Sequence, residues 1–161
     1  MDLFAEVVAL AAALDAATID YAICGAVALA IHGAPRATRD IDLLARAADV
    51  PRLRDVVRSR GFTLEALPMT FSSSGISIQR FTKVERDGRT LMLDVVVAEG
   101  PLESVWETRS RIAFAASDET PHALSVVSRD GLITLKLAAG RPQDIVDVQR
   151  LREVSRGDDD T

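Results

Sequence analysis

The sequence predicts a mixed α/β (α+β) domain, and three observations predict it. Strand-like apolar runs alternate with segments whose apolar residues recur at helical spacing. Hydrophobic residues make up 48% of the 161, enough for one compact core, and aromatics only 4%, so that core must be built from Ala, Leu, Val and Ile. Segments 76–86 and 90–98 alternate or run apolar on either side of Asp87-Gly88-Arg89, a hairpin signal.

Each element follows from local chemistry. Asp2 can cap a first helix through about Ala17. Residues 20–25, DYAICG, form a short buried strand ended by Gly25, and 26–33 a short apolar helix closed by Gly33. Residues 39–45, RDIDLLA, are a second strand. Residues 49–61 are a helix, with Pro51 in its first turn and Gly61 as terminator. FTLEAL (62–67) is a further strand, and 68–75 has no periodicity and is expected as a loop. After the hairpin come a short helix in PLESVWETR and two extended segments, RIAFAAS and HALSVVS. Ser128 can cap the helix that begins RDGLITLKLAAG, and a last helix runs from Pro142 to about Val154. The expected organisation is a sheet-bearing core over 1–127, C-terminal helices packed on it over 128–154, and a mobile, solvated tail over 155–161.

Charge and motifs exclude several classes. Nineteen basic against 24 acidic side chains give a net charge of −5, against a duplex-DNA-coating protein. Seven arginines nevertheless fall between Arg36 and Arg60, so a local basic surface is compatible with the sequence. Cys24 is the only cysteine, which suits a reducing cytoplasm. The N-terminal segment carries Asp2, Glu6 and Asp15 and no basic start, so it is expected as a helix rather than a signal peptide. No uncharged apolar run reaches the ~18 residues of a membrane span. The P-loop, zincin, nucleophile-elbow and dinucleotide motifs do not occur.

The chemistry concentrates at Asp40 and Asp42. On a strand, residues two apart share a face, so both carboxylates project together while Ile41 and Leu43 point the other way. Close carboxylates repel, and one pKa should rise unless a cation intervenes. Mg²⁺ prefers carboxylate oxygens and completes its shell with substrate phosphates. Asp94, in LMLDVVV, is a third acid in an apolar strand. If its strand lies beside that of Asp40 and Asp42, three carboxylates converge, as in two-metal phosphoryl or nucleotidyl transfer. The competing reading is structural, since Arg36, Arg39 and Arg46 are available as ion-pair partners.

The stretch ICGAVALAIHGAPRATRDIDLL, an apolar residue and glycine followed by a short helix and an acid–apolar–acid triplet, resembles the signature of DNA polymerase β-type nucleotidyltransferases. Its wording is most similar to the AbiEii-like, or minimal, nucleotidyltransferases associated with toxin–antitoxin and phage-defence loci. LITLKLAAGRPQDIVDVQRL (132–151) is similar to the C-terminal helices of that group, so the resemblance covers most of 20–151. It implies the nucleotidyltransferase fold, a mixed sheet flanked by helices. It also implies Asp40, Asp42 and Asp94 as metal ligands and catalytic acids, with Asp94 helping to activate the attacking hydroxyl. Gly25 and Ala26 would receive the triphosphate at the start of the following helix. Ala26 departs from the usual Gly or Ser: it keeps the N–H and supplies no hydroxyl.

Other residues carry two readings. Lys136 either reaches a β- or γ-phosphate or snorkels at the surface. Arg36 and Thr38 either bind phosphate or orient a ligand, or Arg36 pairs with Asp40. Asp144, near Arg141 and Asp147, suits the first turn of a helix and a structural role. His32 and His122 are isolated and make neither a zinc site nor a triad, Cys24 is a small buried hydrophobe, and Ser72–Ser74 form either a gating loop or an ordinary one.

These readings point to a Mg²⁺-dependent enzyme, with Mn²⁺ as a possible substitute. It would move an NMP from an NTP to a hydroxyl of a protein, an RNA such as tRNA, or a small molecule, in the cytoplasm and as one half of a toxin–antitoxin pair. The alternative is a catalytically weak antitoxin or binding module on the same fold, and a third reading is phosphodiester hydrolysis by the same acids.

Overall fold

The structure is a computed structural model that describes residues 2–71, 74–116 and 120–159, with the main chain alone at 158 and 159. Helix α1 (Leu3–Ala16) starts where the Asp2 carboxylate accepts from the Phe4 N–H at 3.0 Å. Strand β1 (Ala22–Cys24) leads directly into α2 (Gly25–Ile31), and β2 (Asp40–Ala45) follows. A single 3₁₀ turn and α3 (Val50–Ser59) come next. Then come β3 (Leu64–Glu65), β4 (Met69–Phe71), β5 (Ile76–Val84) and β6 (Thr90–Val97). The chain closes with α4 (Glu103–Trp106), β7 (Ser110–Phe114), β8 (His122–Val126), α5 (Arg129–Ala139) and α6 (Pro142–Asp159).

The strands make one mixed sheet in the order β3-β5-β6-β2-β1-β8-β7, with β4 also on β5. β2 lies parallel to β6 and antiparallel to β1. The parallel β2–β6 pair requires a crossover, supplied by the segment containing α3 and the β3–β5 strands. Val7, Leu10 and Leu14 of α1 meet Ile23, Ile41 and Leu43 on one face. Leu53 and Val57 of α3 and Phe62, Phe81, Leu91, Leu93 and Val95 continue the same core. α2 packs on β1, β2 and α5, and α5 packs on α6. Leu132 and Leu151, from the two C-terminal helices, belong to the same continuous core.

Two expectations are corrected. Residues 69–71, expected within a loop, are a strand: Met69 pairs with Ile78 and Phe71 with Ile76, because the unpaired edge of β5 accepts whatever extended backbone follows β3. Residues 155–159, expected as a mobile tail, continue α6; Val154 is half-buried against the core, and the helix has no breaker before Gly157. Residues 160 and 161, and Ser72 and Ser73 of the serine run, lie outside the described residues. Among the described residues, no helix is long and apolar enough to cross a membrane.

Candidate active site

Parallel pairing of β2 with β6 sets Asp42 directly opposite Asp94, while Asp40 stands opposite Met92. Since side chains alternate along a strand, all three carboxylates share one face of two neighbouring strands. The strands carry them for different reasons. Ile41, Leu43, Leu93 and Val95 are fully buried on the opposite face and pin the register. The Asp40 N–H donates to Thr38 Oγ1 at 3.2 Å, which shapes the entry to β2.

Gly25 sits at the turn from β1 into α2 with φ +62°, in the left-handed region. A β-carbon there would lie 2.1 Å from Asp42 Oδ2 and 2.8 Å from Asp42 Cβ. The glycine therefore makes room for the acid itself. This is a second reason for glycine beside the open backbone expected from the sequence. Ala26, the next residue, is buried.

The electrostatics follow. Burial, then the charges of Asp94 and Asp40, raise the pKa of Asp42 to about 6, with Lys136 and Arg141 opposing. Asp94 is differently placed. Arg80, its cross-strand partner on β5, binds it through two parallel bonds, Nε to Oδ1 at 2.8 Å and Nη2 to Oδ2 at 2.9 Å. The carboxylate in turn holds the guanidinium pKa above its ordinary value. Cys24, opposite Asp42 on β1, is buried, and burial pushes its thiol up, as expected of a small apolar residue.

A second, buried polar cluster lies beneath α5 and α6. Lys136 Nζ donates to Asp147 at 2.9 Å and to Asp144 at 3.4 Å. Arg36 binds Asp147 through Nε (3.0 Å) and Nη2 (3.2 Å), and Gln143 donates to the same carboxylate. Arg141 binds Asp144 through Nε at 2.8 Å. Asp144 and Asp147 are 1% and 0% exposed and Lys136 6%, so each needs its partners. Burial pushes both carboxyls up, but the cations outweigh it: Arg141 first at Asp144, and bonds from Arg36 and Lys136 at Asp147, leave both below the ordinary range. Lys136 is thus neither a snorkelling surface lysine nor an outstretched one, and the partner of Arg36 is Asp147, not Asp40. Asp144, expected as a charge at the helix start, is an ion-pair partner of Lys136 and Arg141. His32 Nε2 bonds the Val127 carbonyl at 2.8 Å.

Arg80 and the partners of Asp147 are not legible in the sequence. Nothing in the sequence around Arg80 singles it out; only the β5–β6 register sets it against Asp94. Asp147 stands in the expected cluster with Arg141 and Asp144, but its partners Lys136 and Arg36 come from other elements and carry no local signal.

A divalent cation suits the donors present. Among the described residues neither Asp40 nor Asp42 is ion-paired, and Asp42 sits among like charges that a cation would relieve. Among the described residues, however, no three acidic, histidine or cysteine side chains are already gathered as a metal cluster, and Asp94 is held by Arg80.

The model of the nucleotidyl transferase AbiEii toxin, of type IV toxin–antitoxin systems, matches residues 8–161. The chain belongs to this AbiEii nucleotidyltransferase family. It is thereby a nucleotidyltransferase, and solved structures share the fold. An antigenic nucleotidyltransferase-like protein from Paracoccidioides brasiliensis is 20% identical, with TM-score 0.56 over 90% of this chain and 72% of that one. The antibiotic-resistance factor ANT(2'')-Ia is 17% identical, with TM-score 0.60 over 98% and 85%. The lincosamide antibiotic adenylyltransferase LnuA, solved with lincomycin bound, is 10% identical, with TM-score 0.52 over 93% and 96%. No curated protein sequence matches this AbiEii-family chain.

Proposed function

We propose that the protein transfers an NMP from an NTP to a hydroxyl and releases pyrophosphate, as the toxin of a toxin–antitoxin or phage-defence pair in the cytoplasm. The observation that carries this reading is the in-register placement of Asp42 and Asp94, with Asp40 on the same sheet face, beside the glycine turn into α2. Mg²⁺, or Mn²⁺ in its place, would be held by Asp40, Asp42 and Asp94, and when bound it supplies charge neutralisation and Lewis acidity at the triphosphate. In the transfer, the acceptor oxygen bonds to the α-phosphorus. The bond from that phosphorus to the oxygen bridging to the β-phosphorus breaks, and pyrophosphate leaves with the electron pair. The hydroxyl proton passes to a carboxylate, which we assign as Asp94, and then to solvent.

The nucleotide is assigned to Gly25, Ala26, Arg36, Thr38 and Lys136. Gly25 and Ala26 offer open main chain at the turn, and Thr38 shapes the entry to β2 beside Asp40. Arg36 and Lys136 are anchored by Asp147, so their part is a fixed positive field near the acids rather than a mobile reach. For the acceptor we assign a cellular protein or an RNA such as tRNA, and the toxin–antitoxin description of the family supports a cognate antitoxin as partner. The antibiotic-directed neighbours keep a small molecule among the acceptors to test. One observation favours the non-catalytic antitoxin or binding module: Asp94 is already ion-paired.

The test incubates the protein with each α-labelled NTP, Mg²⁺ or Mn²⁺, total RNA, lysate and an aminoglycoside and lincosamide panel. Asp42→Asn runs in parallel. Label in one acceptor class, lost in the variant, supports transfer and names the class. Label in none, from folded protein with either metal, rejects transfer in favour of the binding module. Free nucleotide without a labelled acceptor indicates hydrolysis.

A further inference from the structure

Arg80 is given no role in the transfer above, yet it makes two short polar contacts with one of the three acids. Both oxygens of Asp94 accept from one guanidinium at 2.8 and 2.9 Å. A carboxylate so engaged has one lone pair on each oxygen directed at nitrogen, and a metal approaching Asp94 from that side competes for the same ones. The arrangement is built into the sheet. Arg80 and Asp94 are register partners on adjacent antiparallel strands, so their side chains leave the same face side by side. Phe81 and Leu93, the next pair, are fully buried on the other face and prevent a register slip that would separate them. The two partners differ in freedom. The Asp94 side chain is 11% exposed, whereas that of Arg80 is 37% exposed and borders solvent.

We propose that Arg80 is a resident counter-cation of the catalytic face: it occupies Asp94 when divalent metal is absent and is displaced from that carboxylate by the metal. This inference rests on the metal-dependent reading above. In the metal-free protein the guanidinium neutralises one of the three acids, which limits their mutual repulsion. On loading, Arg80 exchanges Asp94 for solvent or for the negative charge that arrives with the metal. Metal affinity is then lowered by the fraction of molecules in which Arg80 holds Asp94.

Mn²⁺ binding to the intact protein tests this, followed by electron paramagnetic resonance of free Mn²⁺, with circular dichroism to check folding. Wild type is compared with Arg80→Gln, Arg80→Lys, Asp94→Asn and Asp42→Asn. Removing the competitor in Arg80→Gln should tighten Mn²⁺ by up to roughly fivefold, the most that an ion pair of this exposure imposes. Arg80→Lys keeps the charge but not the two-pronged bond, so it should recover much of that gain. An Arg80→Lys value equal to wild type, with Arg80→Gln tighter, would show simple long-range repulsion and overturn displacement. Unchanged or weaker binding in both folded Arg80 variants would also overturn it, by making Arg80 a support that orients Asp94. If wild type binds Mn²⁺ and Asp42→Asn does not, the metal reading stands whatever Arg80 does. If neither wild type nor Arg80→Gln binds Mn²⁺, both readings fall together.

Discussion

Asp42 Oδ2 occupies the space that a β-carbon on Gly25 would need, and the glycine's φ of +62° is one that L side chains avoid. Gly25→Ala should therefore lose at least about 1–2 kcal/mol from the left-handed backbone alone. It should also displace the carboxylate. A urea melt checks the first effect, and NMP-transfer activity well below that expected from the folded fraction checks the second. Asp42 carries a stability cost of its own. Its folded pKa, about 6, lies above the ordinary 3.8, so the folded state favours the protonated form. Above pH 6 the ionised group opposes folding, and below the ordinary value the difference vanishes. Asp42→Asn should then be more stable than wild type at pH 7.5 without metal, by on the order of 1–3 kcal/mol, and equal to it below pH 4. Thermal melts at the two pH values decide; a variant less stable at pH 7.5 would contradict the charge argument.

At the scale of elements, α5 and α6 are joined to the β2 entry by ions more than by loops. Lys136 on α5 holds Asp144 and Asp147 on α6, and Asp147 in turn holds Arg36 from the segment before β2. Arg150 adds a bond to the Pro35 carbonyl at 2.7 Å. Lys136→Met would leave two buried carboxylates short of a cation. Arg36 and Arg141 remain, so the loss should approach but not exceed the ~3–5 kcal/mol of a broken buried pair. A surface lysine would cost within about 0.5 kcal/mol. Chemical denaturation separates the two, and a small effect would mean that the arginines alone satisfy the pair. The uncapped edge of β5 shows the same principle in the backbone: β3 and β4 are short strands, yet both pair with it, covering donors that would otherwise stay open.

Over the whole molecule, these charges oppose one another across pH. Asp144 and Asp147 have folded pKa values below the ordinary one, so they contribute stability above about pH 4 and lose it as pH falls through their lowered values. Asp42 acts the other way between about pH 6 and pH 4, where protonation favours the fold. Metal-free protein should thus gain stability from pH 7 towards pH 4–5 and lose it steeply below. Asp42→Asn should remove the rise and keep the fall. Melting temperature against pH in a chelating buffer checks both limbs, and a wild-type profile that only declines from pH 7 would remove Asp42 from the account.

What the sequence by itself determined is whatever is written in local spacing. The apolar alternation of β2 and β6 placed Asp40, Asp42 and Asp94 within strands, and the acid–apolar–acid step put the first two on one face. Asp2 and Ser128 were readable as caps because a cap bonds within three residues. Gly25 was readable as a turn, and the glycine-to-acid spacing carried the family. What only the tertiary structure decided is which distant residues meet. The β2–β6 register set Asp94 against Asp42, and the β5–β6 register gave Arg80 to Asp94. Helix packing took Arg36 away from Asp40 and buried Lys136 between two acids that its own apolar segment did not announce. Backbone periodicity is a local property and survives in the order of residues. Pairing of charges depends on strand register and helix docking, which no stretch of the chain contains by itself.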